Sequence, residues 1–144
     1  MAEIITQIPG YESGRVQYIS AADEVSVSFF VARMAEGLRK KWNTTVLCIS
    51  LDGNKEAIEK LLPNDESFGR VIVINQKNPN IQIVVNKAIG IINRRFARAV
   101  IISGAERLVH SGSSNEEIVR VERQLSILAK RKGIPVILVD TKNN

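Results

Sequence analysis

Five short runs of β-branched and other apolar residues recur along the chain, at Val16–Ser20, Thr45–Leu51, Arg70–Asn75, Ala99–Ser103 and Pro135–Val139. They are continuously apolar rather than alternating, which reads as strands covered on both faces. Between them the period of the apolar residues changes. Val27, Phe30, Val31, Met34 and Leu38 recur at three and four positions, as do Ile81, Val84, Val85, Ala88, Ile92 and Phe96, and again Ile118, Val121, Leu125 and Leu128. Each set predicts one apolar helix face. A shorter helix, about Lys55 to Leu62, is stopped by Pro63. The last long helix has Ser113 or Ser114 three residues before Glu116 or Glu117, a capping-box signature, and ends at Gly133 before Pro135.

Strand and helix alternate throughout. That order predicts a three-layer α/β fold: a five-stranded, mainly parallel sheet with helices on both faces and right-handed crossovers. No repeat or low-complexity linker interrupts it, so residues 1–144 read as one domain, with an N-terminal segment at 1–14 and the core at 15–144. The segment Val109–Asn115, with two serines around Gly112, is predicted as the mobile loop.

Composition narrows the class. A chain of 144 residues that is 44% hydrophobic is long enough to bury a full core. No apolar run approaches the roughly 20 residues of a membrane span, and the start M-A-E-I-I-T-Q-I-P-G lacks the pattern of a signal peptide. Cys48 is the single cysteine, which excludes an internal disulfide and argues for a reducing, cytoplasmic setting. A net charge of +5 suits an anionic partner such as nucleic acid. Aromatics at 5% argue against an extended base-stacking platform.

The turn after the first strand is where an open parallel sheet would seat a phosphate, on backbone N–H groups at the next helix N-terminus. A phosphate loop needs glycines for close approach, plus a lysine and a Ser or Thr for the phosphates and magnesium. Ser20 to Ser26 has no glycine and no lysine, and it carries Asp23 and Glu24.

Residues 6–12, T-Q-I-P-G-Y-E, resemble the T-G-(I/L)-P-G-(L/F)-D motif of the KaiC and RadA branch of RecA-like ATPases. V-L-C-I-S-L-D-G-N is similar to that family's second strand, A-V-I-I-S-G-A-E-R-L stands in the place of its fourth, and K-R-K-G-I-P-V-I-L-V-D-T resembles the ending of the same core. The likeness covers nearly the whole chain in order and spacing. It implies a RecA-like P-loop NTPase fold without a functional P-loop, because the departures fall on the chemistry. Val25, Ser26 and Val27 stand where the family has Gly-Lys-Thr, and Ser103 stands for the magnesium-binding Asp. Asp52 stands for the first of two paired glutamates, and Gly53 removes the second. The family's later strands have no counterpart. The resemblance thus makes Ser20, Asp23, Glu24, Ser26, Asp52 and Ser103 a vestigial nucleotide site and implies lost ATP hydrolysis, since phosphoryl transfer depends on the missing charges.

The predicted topology also sorts charge into two poles. At the strand C-terminal edge fall Asp23, Glu24, Asp52, Glu106 and Asp140. At the opposite edge fall Arg39, Lys40 and Lys41; Arg94, Arg95 and Arg98; and Lys130, Arg131 and Lys132, each set ending a helix before a strand. Cations there complement the helix macrodipole with no ligand at all, or form a surface for DNA phosphates or a protein partner. The acidic edge reads as N-caps and loop ends, or as a divalent-metal site built from Asp23, Asp52 and Glu106. Opposite poles of neighbouring copies would also complement each other head to tail in a homo-oligomer.

His110 has no partner ligand in sequence, and Cys48 reads as an inert buried thiol. Trp42 is expected either to cap the first helix or to serve as a contact anchor. No histidine lies near the serines of the turn to activate a nucleophile. The sequence therefore predicts a cofactor-free, non-catalytic binding or assembly module. Family context points to an accessory in recombination or repair that contacts DNA or a competent RecA-like relative. A metal-dependent hydrolase at the acidic edge and a regulatory module with weak residual nucleotide binding are the alternatives.

Overall fold

A computed structural model describes residues 14–21, 24–63, 70–109 and 113–141. The elements follow the order β1 (Val16–Ala21), α1 (Glu24–Trp42), β2 (Thr45–Ser50), α2 (Lys55–Leu61), β3 (Val71–Asn75), α3 (Ile81–Arg95), β4 (Ala97–Ser103), a 3₁₀ turn (Ala105–Arg107), α4 (Asn115–Lys132) and β5 (Val136–Thr141). The five strands form one sheet in the order β1-β5-β4-β2-β3, and every pairing is parallel.

Each central strand is buried on both faces, as its unbroken apolar run requires. From β2, β4 and β5, Leu47, Ile49, Val100, Ile102, Val136 and Leu138 face α3 and α4. Their alternate neighbours Val46, Cys48, Ala99, Ile101, Ile137 and Val139 face α1 and α2, where Val27, Val31, Met34, Leu38 and Ile58 meet them. The period of two in the strands thus feeds two cores, and the period near 3.6 in the helices covers them. The outer strands β1 and β3 are only partly covered.

Connections from β1 through β2 to β3 cross the sheet one way along the α1/α2 face. Those from β3 through β4 to β5 return along the other. Opposite directions on opposite faces give all the crossovers one hand. The chain leaving β4 and the chain leaving β2 therefore diverge to opposite faces. That divergence opens a crevice between their C-terminal ends, the usual ligand position in such sheets.

Local signals place the helix ends. Ser114 caps α4, its Oγ accepting from the Glu117 N–H at 3.2 Å, and Gly133 closes the helix in the left-handed region. Asn80 Oδ1 caps α3 by accepting from the N–H groups of Gln82 and Ile83. One apolar assignment changes. Phe96 does not extend the buried face of α3; it is the left-handed residue that ends the helix, and it is 79% exposed. The chain turns from helix into β4 within that single residue, so its side chain leaves the core. β4 accordingly begins at Ala97, which places Arg98 on a strand rather than at a helix end. The middle of the predicted mobile loop, residues 110–112 with His110, lies outside the described residues, while Ser114 and Asn115 belong to the start of α4.

Candidate functional site

The crevice between β4 and β2 is closed by the chain's own side chains. Ser50, the last residue of β2, donates from Oγ to Asp52 Oδ1 at 2.8 Å and accepts from the Asn54 N–H at 2.8 Å. From the end of β4, Ser103 Oγ lies 3.1 Å from both carboxylate oxygens of Asp52. Both serines are buried. The next residue, Gly104, has φ +76, and a Cβ on it would lie 2.9 Å from Asp52 Cβ and Cγ. Asp52 therefore fills the notch that the missing side chain leaves. Backbone bonds from Leu51 N–H to Ser103 O, Gly104 N–H to Val139 O and Gln76 N–H to Ser50 O, each 2.9 Å, lace β2, β3, β4 and β5 together around it.

This clasp presents a carboxylate whose lone pairs are engaged by hydroxyl groups. A phosphate arriving here meets negative charge instead of donors. Of the six residues that the resemblance places at a nucleotide site, the structure brings Asp52 and Ser103 into contact. Ser20 lies two strands from Ser103, about 10 Å away by strand spacing, and its Oγ donates to Asp140 Oδ1 at 2.6 Å across the β1–β5 pair. Asp23 and the side chains of Glu24 and Ser26 lie outside the described residues.

Glu106 faces a different cleft, of about 240 Å³, shared with Tyr18, Glu122, Leu138 and Asp140 at the β1 edge. Partial burial, and then the charges of Glu122 and Asp140, push the Tyr18 phenol above its ordinary value. Among the described residues no group of three or more His, Cys, Asp or Glu gathers as a metal would require.

The opposite edge carries the cations. Lys40, Lys41, Arg94, Arg95, Lys130 and Arg131 are exposed at the ends of α1, α3 and α4, and Arg98 is exposed on β4. Lys132 is partly covered, its Nζ donating to Asn93 Oδ1 at 2.7 Å and tying α4 to α3. Arg39 leaves the predicted surface. It is only 2% exposed, and its guanidinium forks onto Glu36, with Nε 2.9 Å from Oε2 and Nη2 on Oε1. The i,i+3 spacing on α1 puts the pair one above the other, so Arg39 serves the fold.

A cleft of about 480 Å³ opens at this edge, lined by Trp42, Asn43, Thr44, Arg98 and Gly133. Sequence reasoning named Trp42 and Arg98 there. It missed exposed Phe96, whose signal was an aromatic directly after Arg94-Arg95 and directly before a strand.

Cys48 is fully buried, and desolvation pushes its thiol from 9.0 up to about 12. No helix among the described residues is long and apolar enough to cross a membrane. In comparison with known proteins, the chain matches no family model and no curated protein.

Proposed function

We propose that this chain is a RecA-like scaffold without nucleotide chemistry, acting as a binding module that holds nucleic acid phosphates on its basic edge. The observation that carries the reading is Arg98. Cations in the last turn of a helix are favoured by that helix's own macrodipole, but Arg98 belongs to no helix's last turn; it sits on β4. It is nevertheless exposed, and it lines the cleft between the ends of α1 and α4. An exposed strand arginine, joined by cations from three helix ends, is the footprint expected of a phosphate-binding surface. Contacts of this type position a duplex without reading its sequence.

The clasp at Asp52 supports the other half of the proposal. At the two positions that the resemblance gives to nucleotide-site carboxylates, only Asp52 is a carboxylate, and the hydroxyls of Ser50 and Ser103 are spent on it. An accessory role in recombination or repair, beside a catalytically competent relative or a second copy of this chain, fits a scaffold that keeps a RecA-like core and binds DNA.

A thermal-shift screen tests both halves together. A short DNA duplex at low salt is expected to raise the melting temperature, while ATP with magnesium leaves it unchanged. Stabilisation by ATP or by manganese alone, with none by DNA, would replace this reading with a nucleotide- or metal-dependent one.

A further inference from the structure

We infer that Phe96 is a stacking contact for an unpaired base of nucleic acid held on the basic edge, an inference that rests on the function proposed above. Three of the four helices that end at this edge hand the chain to a left-handed residue: Asn43 after α1 at φ 51, Phe96 after α3 at φ 55 and Gly133 after α4 at φ 62. Glycine and asparagine adopt this conformation at least cost. Phenylalanine does not, and a bulky side chain there is an outlier. Packing offers no compensation, because Phe96 is the most exposed of the large apolar residues described. Neither backbone preference nor burial selects an aromatic at this position, so its ring is placed for something outside the fold.

The surroundings specify what that is. Arg94 and Arg95 precede Phe96, and Arg98 follows it and leads into the cleft beside Trp42. A ring with cations on both sides of it in the chain can stack a base while those cations neutralise the flanking phosphates. A protein-binding anchor is ringed instead by further occluding contacts. Here the one other large exposed apolar residue of the same helix, Ile83, lies at its far end, about 20 Å away by helical rise. A single ring cannot track a strand as a row of aromatics does. It suits the place where one base is left unstacked, at a strand end or a junction between single strand and duplex.

Fluorescence anisotropy on the full chain tests this, with a labelled blunt duplex and the same duplex carrying a single-stranded overhang. The wild-type chain is expected to prefer the overhang by roughly five-fold or more, the lower range of one stacked base. Phe96→Gly should abolish that preference, and Phe96→Trp should keep it. Glycine is unstrained at φ 55, so the variant should melt no lower than wild type. Equal binding of the two DNAs by wild type, or a preference that survives Phe96→Gly, overturns the stacking role while the basic-edge reading stands. Failure of every DNA to bind at low salt removes both. Phe96-dependent binding of polyglutamate without any overhang preference would assign the ring to an acidic protein partner and overturn the inference.

Discussion

Ser103 Oγ meets both carboxylate oxygens of Asp52 at 3.1 Å, joining residues 51 positions apart across the crevice between β4 and β2. The hydroxyl of one strand end donates to the carboxylate that follows the other. The contact is a cross-strand tie, and the energetics should follow.

Removing the tie should cost stability. Hydrogen bonds to a charged group contribute about 1.5–3 kcal/mol, and partial exposure of Asp52 favours the lower end. Ser103→Ala is therefore expected to lower unfolding free energy by about 1.5 kcal/mol in urea titration. Gly104→Ala should cost more, about 2–4 kcal/mol, because left-handed strain and overpacking against Asp52 add.

Arg39 and Lys40 are neighbours in sequence and opposites in role. Arg39→Ala strips a buried partner from Glu36 and should destabilise by roughly 2–4 kcal/mol. Lys40 reaches the same carboxylate only at 3.8 Å and is exposed, so Lys40→Ala should stay within about 0.5 kcal/mol. Chemical denaturation of the two variants side by side separates them.

Cys48 links stability to alkaline pH. Its folded thiol titrates near 12 against 9.0 when free, so between these values the unfolded chain binds fewer protons than the folded one. Unfolding free energy should then fall as pH rises, at up to about 1.4 kcal/mol per unit from this group alone. The Tyr18 shift acts in the same direction. Cys48→Ala should flatten the slope above pH 9.0, as read from urea titrations at stepped pH. At neutral pH the wild-type thiol should resist a thiol reagent until the protein is unfolded.

Most of the fold was legible because its signals are local and repeated. Continuous apolar strands, the Ser114 cap and the Gly133 terminator each act over a few residues, and they agree with one another. Phe96 and Arg39 were misplaced for the same physical reason. Phe96 fits a helical period and Arg39 a basic helix end, yet neither pattern says where a helix stops or which charged stem the neighbouring layers cover. The clasp was legible only as absences at Ser103 and Gly53. That the Ser103 hydroxyl would bond Asp52 depends on strand order, which places β4 directly beside β2, and no local pattern carries that order.

The central claim is that nucleic acid phosphates bind at the basic edge. It is tested most directly by duplex affinity as a function of salt, in wild type and in Arg94→Glu/Arg98→Glu. Binding at about 50 mM salt is predicted, weakening on a logarithmic plot with a slope near −0.9 for each phosphate contacted. The double reversal should abolish it while melting temperature holds within a few degrees. Affinity that the reversal leaves intact, or no binding at low salt, would contradict the account.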